Sequence, residues 1–168
     1  MSSKKMYIDF NKGILETINL DGMAQTEFNV VEDSLVTGVN TSSGDSINIK
    51  LENDTIKRMQ MFGGVKGIFI PEQNNSDIDS TVIYNANHID YQINKQITYL
   101  YEEAMVDYNL NHLKAGEIFV DWSTNLLEAT IKDSTYPSIS GFGDKPIYGD
   151  KMIFDLISNK GKIIKGDT

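Results

Sequence analysis

Apolar and polar residues alternate along most of this chain with a period of two. Ile47, Ile49 and Leu51 alternate with Asn48 and Lys50, the pattern of a strand with one buried face. Glu52-Asn53-Asp54 follows as a turn, because Asn and Asp tolerate left-handed backbone and hydrogen-bond to their own main chain. Ile56, Met59 and Met61 carry a second strand, and Gly63-Gly64 breaks it. Val65, Ile68 and Ile70 then carry a third strand that ends at Pro71.

The same unit recurs on both sides. Residues 6–28 read as MYIDF, the turn Asn11-Lys12-Gly13, ILETINL, the turn Asp21-Gly22, and MAQTEF. Gly supplies the positive φ that short hairpin turns require. Residues 29–41 carry a weaker apolar stretch, and residues 41–45 turn into the central unit. Residues 72–80, EQNNSDIDS, are polar and aperiodic, which predicts a surface loop. Alternation resumes over 81–108, with a turn at Ile93-Asn94-Lys95 and two strands in QITYLYE and EAMVDY. Ile89, Tyr91 and Ile93 share one phase, and Ile97, Tyr99 and Tyr101 share one phase of the next strand. Residues 109–115 turn into GEIFVDW, where Ile118, Val120 and Trp122 alternate; Ser123-Thr124-Asn125 turns into LLEATI. Residues 132–146 form a second loop, and IYGDKMIFDL, a turn at 158–161 and KII close the chain.

Helix is nearly absent. Only residues 100–113 have helical character, and their aromatics, Val and strand neighbours favour strand. About ten to fourteen short strands, with turn signals every 8 to 12 residues or so, predict a sandwich, barrel or β-solenoid. MYIDFNKGILETINLDG, INIKLENDTIKRMQMFGG and HIDYQINKQITYLYEEA superpose at a spacing of about 40 residues, and MIFDLISNKGKIIKG follows less regularly. Pleats that cannot bury an apolar face alone gain stability by stacking.

Charge and composition narrow the function. Fifteen Lys and Arg against 24 Asp and Glu leave a net charge of -9, which argues against a nucleic-acid partner. The absence of cysteine excludes disulfides, thiolate catalysis and cysteine zinc sites. No run approaches the ~20 apolar residues of a membrane helix. The start, MSSKKMYIDF, lacks the apolar segment of a secretory signal.

Three stretches carry a family resemblance: GDSINIKLENDTIKRMQMFGGVKGIFIP, IYNANHIDYQINKQITYLYEEAMVDYNLNHLKAGEIFVDW and PIYGDKMIFDLISNKGKIIKGDT. Together they resemble the OstA-like (organic solvent tolerance) domain, the periplasmic part of outer-membrane lipopolysaccharide-assembly proteins. The Tyr-Asx-Ala-Asx-x-Ile-Asp-Tyr stretch at 84–91 and the Leu-x-Ala-Gly-x-Ile stretch at 113–118 look like that family's recurring strand starts. Gly149-Asp150-Lys151-Met152 with Asn159-Lys160-Gly161 resembles the segment that precedes the barrel. The resemblance covers residues 44–168 and is fainter over 1–43. The chain lacks the signal peptide, the barrel and the cysteines of some members, so it reads as one domain, residues 1–168, from a longer protein.

The resemblance implies an all-β fold, an open twisted antiparallel β-jellyroll of two facing sheets, located in the periplasm beside the outer membrane. It implies a lipopolysaccharide-transport module that shields acyl chains in an apolar groove. Its partners would be lipopolysaccharide, other jellyroll domains joined through edge strands, and an outer-membrane barrel in the full-length chain. No enzymatic activity, cofactor or metal is implied. The groove lining would come from the apolar phase of each strand: Ile47, Ile49, Leu51, Met59, Met61, Ile68, Ile70, Ile89, Tyr91, Ile97, Tyr99, Ile118, Val120 and Trp122. The alternative is a structural or adhesive β-repeat module that assembles with its own kind and carries no lipid.

Other candidates carry less. Asp77 and Asp79 offer oxygens to calcium, but two carboxylates in a polar loop are ordinarily solvated. His88 and His112 have no supporting ligand spacing. Nothing selects Glu102-Glu103 among 24 acidic residues as a glycosidase-type pair. Lys57, Arg58 and Lys66 fit a groove rim, or simply a solvent-facing strand side. Gly63-Gly64 and Gly149 read as bends or bulges.

Overall fold

The computed structural model describes residues 1–141 and 143–166. Asp167 and Thr168, where the sequence resemblance ends, lie outside the described residues. Among the described residues, twelve strands form one antiparallel sheet. They are β1 (Lys5–Asn11), β2 (Ile14–Glu32), β3 (Leu35–Glu52), β4 (Thr55–Pro71), β5 (Val82–Gln92), β6 (Ile97–Tyr108), β7 (Asn111–Asp121), β8 (Leu126–Thr130), β9 (Ser138–Ser140), β10 (Ile147–Tyr148), β11 (Lys151–Asp155) and β12 (Lys160–Ile164). The path runs β1 to β8 in sequence order and then to β11 and β12. β7 is shared at its far edge: Glu117 to Asp121 pair with β8, while His112 to Lys114 pair with β9. The sheet therefore forks at its C-terminal end.

Several strands are far longer than the alternation suggests, and their interruptions explain the shape. The expected turn at Asp21-Gly22 lies inside β2, residues 41–45 lie inside β3, and the Gly63-Gly64 break lies inside β4. QITYLYE and EAMVDY are likewise one strand, β6. At each point the ladder shifts register: between Asp21 and Ala24, Ser43 and Ser46, Phe62 and Val65, Asn85 and His88, and Tyr101 and Ala104. These bulges lie side by side across β2 to β7. A bulge bends its strand and increases local twist, so a row of them creases the whole sheet.

The crease repeats with the period seen in the sequence. Gly22 and Met23, Gly63 and Gly64, and Glu102 and Glu103 all have positive φ, about 40 residues apart. At Gly63-Gly64 the left-handed backbone carries no Cβ penalty. The Asp45, Asn87 and Gly116 positions face these pairs on the intervening strands. The repeat is thus a strand pair with one crease, and its copies sit side by side in one sheet.

The first three reversals, β1–β2, β2–β3 and β3–β4, each carry two adjacent residues of positive φ. Lys12-Gly13 and Asn53-Asp54 are such pairs as expected, and Asp33-Ser34 is one in a stretch whose sequence gave little signal. A short 3-10 turn, Ile93–Lys95, joins β5 to β6. Two loop expectations change: β9 lies within 132–146, and β7 already begins at Asn111.

Candidate functional site: a groove between two leaves

Folding at the crease turns one sheet into two facing leaves. The first carries residues 14–21, 46–52, 55–62, 88–92, 97–101 and 117–121, followed by β8 and β11. The second carries 24–32, 35–43, 65–71, 82–85, 105–108 and 111–115, followed by β9. Inward side chains from both leaves form one apolar cluster. Phe28 of the second leaf stacks on Tyr91 of the first at 5.9 Å, and Phe69 meets Trp122 at 6.2 Å.

The interior is not filled. A cavity of about 460 Å³ lies between the leaves, walled by Met61, Ile89, Leu100, Val106, Val120 and Leu127 among others. Ligand pockets commonly run from about 300 to 1,000 Å³. A second space of about 450 Å³ opens in the C-terminal fork, between Leu113 and Ile139 on one side and Met152, Phe154 and Ile163 on the other. The two spaces follow each other along the strand order.

Ten of the fourteen predicted lining residues face the packed interior, and five of them, Met61, Ile89, Tyr91, Val120 and Trp122, border the cavity. Ile47, Ile49, Met59, Met61, Ile89, Ile118 and Val120 are buried, and Leu51, Tyr91 and Trp122 pack partly buried against the same cluster. Four residues face the other way. Ile68 and Ile70 are exposed on the outer face of β4, because Val65, Gly67 and Phe69 hold the inward phase after the crease. Their run is apolar in both phases, so alternation could not choose. Phe69 decides it by laying its ring over Gly38, where an added Cβ would meet the ring at 2.5 Å.

Ile97 and Tyr99 are the other two. On β6 the inward set is Thr98, Leu100, Ala104, Val106 and Tyr108. Thr98 lies opposite Tyr91 and Val120, which fixes the phase, and its hydroxyl accepts a 2.8 Å hydrogen bond from Trp122 Nε1. Outside, Tyr99 stacks on Tyr101 and Phe119. A half-polar inward pair, Thr98 with the Trp122 indole, hid the phase.

Sequence reasoning also missed inward residues. Ile78 lies in the stretch that reads as a polar surface loop, but it is only 5% exposed and borders the cavity from the loop joining β4 to β5. A lone apolar residue in SDIDS was its sole signal. Asp79 beside it accepts a 2.7 Å hydrogen bond from the Tyr108 hydroxyl. That bond, then Ser80, holds the Asp79 carboxyl below its usual range. Burial, reinforced by Asp79, pushes Tyr108 up to about 12.

The mouth is acidic. Glu32, Asp54 and Asp77 border the cavity, and burial, then Asp77 and Asp33, raises the Glu32 carboxyl. Burial likewise pushes the Tyr91 phenol well up. Among the described residues no group of three or more His, Asp or Glu side chains converges as a metal site. His88 is stacked on Phe62 and lies tilted against Tyr101 on the outer face, and His112 pairs with Asp107 at 2.8 Å. Chemically, the site offers shelter from water to a long apolar group.

No protein-family model and no curated protein matches the sequence. Among solved structures the chain is similar to LptH of Pseudomonas aeruginosa, described as the LptA homologous periplasmic component of the conserved lipopolysaccharide transport device. The TM-score is 0.60, over 88% of this chain and 89% of that chain. The fold is the LptA-like β-jellyroll. At 12% identity the likeness is one of fold. It agrees with the open antiparallel jellyroll that the sequence resemblance implied.

Proposed function

We propose that this domain is a periplasmic lipopolysaccharide-transport module. It holds acyl chains in the creased groove and stacks edge to edge with like jellyrolls to carry the lipid toward the outer membrane. The observation that carries this reading is the unfilled, mainly apolar space of about 460 Å³ between the leaves, with a separate space of about 450 Å³ in the fork. The fold shared with a periplasmic transport component supports it. Each acyl methylene sheltered there is worth about 0.8 kcal/mol, so a few carbons suffice for useful but reversible holding. On the sequence resemblance, the domain would be the N-terminal part of a barrel-bearing assembly protein rather than a free-standing bridge component. A purely structural repeat would stack equally well, but it has no use for an interior left open.

Photocrosslinking in lipopolysaccharide-producing cells tests this. Benzoylphenylalanine replaces Tyr91 or Trp122, aromatic positions on the cavity wall, and Lys50 or Ile97 on the outer face. Lipopolysaccharide adducts are expected at the first two and not at the others. Adducts at neither pair, from a folded and exported protein, would leave the structural module as the reading.

A further inference from the structure

A polar patch in the wall of the groove keeps hydrogen-bonding capacity beyond its own internal bonds. Asn40, Ser42 and Tyr84 are buried on the inward faces of β3 and β5, and Asn40 and Tyr84 border the cavity. Their oxygens form a closed triangle: Ser42 Oγ to Asn40 Oδ1 at 2.9 Å, Tyr84 Oη to Asn40 Oδ1 at 2.7 Å, and Ser42 Oγ to Tyr84 Oη at 2.9 Å. Two hydroxyl hydrogens cannot serve three oxygen–oxygen contacts. If the Asn40 amide is turned over, its nitrogen satisfies the triangle and its carbonyl oxygen is released as an acceptor. In both arrangements hydrogen-bonding capacity is left over beside the cavity.

A second observation points the same way. Thr26 lies directly opposite Ser42 on β2. It is 4% exposed, and its Oγ1 has no hydrogen-bond partner among the described residues. A polar network whose task is only to fix strand pairing is ordinarily complete, because an unpaired buried hydroxyl is costly. Here four polar side chains gather, Asn40 and Tyr84 at the cavity wall with Ser42 and Thr26 buried next to them, and the set is incomplete.

We infer that Asn40, Ser42 and Tyr84 form a hydrogen-bonding subsite for a hydroxyl group carried on the acyl chain in the groove, making the groove selective for hydroxylated chains. This rests on the acyl-binding reading above. A hydroxyl both donates and accepts, so it accepts from the unused Asn40 amide nitrogen in one arrangement and donates to the freed carbonyl in the other. A plain methylene chain would leave the patch unmatched, at a cost in affinity rather than in fit.

The test uses neutral tetradecanoyl glucamides, plain or carrying a hydroxyl at acyl carbon 2, 3 or 12, so that the acidic mouth does not repel the head group. Trp122, the single tryptophan and a cavity-wall residue, reports binding by fluorescence. One hydroxylated isomer is expected to bind about tenfold tighter than the plain chain, equivalent to about 1.4 kcal/mol. Tyr84→Phe keeps the ring and should bring that ratio to about one. Ser42→Ala should lower the ratio independently. Equal binding of every isomer overturns the subsite and leaves the groove reading standing, as does a preference that survives in both variants. Failure of all four compounds to bind folded protein overturns both.

Discussion

Tyr84 shows how a single residue is fixed by its neighbour's lack of a side chain. Its ring lies over Gly67, where an added Cβ would stand 2.0 Å from Cζ, and this brings the hydroxyl across to Ser42 and Asn40 on β3. Gly67→Ala should therefore destabilise the protein by about 1–3 kcal/mol, the usual range for overpacking. Gly143→Ala, whose Cβ meets nothing within 4 Å, should be near neutral. Thermal melts of both variants check this, and Tyr84→Ala should abolish most of the Gly67→Ala penalty if the ring is the cause. At this scale the sequence was partly legible. Inward positions stood out where apolar and polar residues alternated cleanly, as at Ile47, Ile49 and Leu51. They were lost where both phases were apolar, as at Ile68, Phe69 and Ile70, or where the inward phase held Thr98. Burial of the polar phase depends on partners on other strands, and those are set by register rather than by local pattern.

At the scale of elements, the punctuation was visible but its meaning was not. Gly22-Met23, Gly63-Gly64 and Glu102-Glu103 take left-handed backbone, which serves a hairpin turn and a two-residue bulge equally. Only the pairing of neighbouring bulges makes them a crease. The loop over 72–80 teaches the same lesson, since Ile78 is buried because Tyr108 and Asp79 hold the loop down. That clasp should depend on pH. The Tyr108 phenol is raised in the folded state, so its contribution is complete below its ordinary value near pH 10 or so and is lost as pH rises through about 12. Asp79 is depressed, so its contribution is present above the ordinary carboxylate value of about 4 and is lost as pH falls through its lower folded value. Between those limits the loop stays closed. Tyr108→Phe at neutral pH should speed amide exchange at Ile78 by about three- to tenfold, while exchange at Ile118 on the far leaf stays unchanged. Equal protection at Ile78 in the two proteins would show that packing alone retains the loop.

For the whole molecule, the ends of the sheet decide what it can join. β1 is exposed throughout, with Met6, Tyr7, Ile8 and Phe10 showing to solvent, and it pairs only with the first-leaf half of β2. At the other end, among the described residues, β12 pairs with β11 alone. Unpaired edges of this kind are templates for further strands. The all-β architecture was legible from alternation and turns, and the open antiparallel jellyroll from the family resemblance. The forked end was not, because it rests on β9, three residues long inside a stretch that reads as loop. Head-to-tail stacking through β1 and β12 is a heterologous contact, which grows into open chains. Sedimentation velocity should then show the protein forming a concentration-dependent ladder of species. Ile8→Lys should block one edge and Ile164→Glu the other, so each variant alone stays monomeric with an unchanged melting temperature. Mixed together, the two retain one free edge of each kind and should form dimers and nothing larger. If Ile164→Glu alone dimerised and Ile8→Lys did not, the contact would be β1 against β1, a closed pair that builds no bridge.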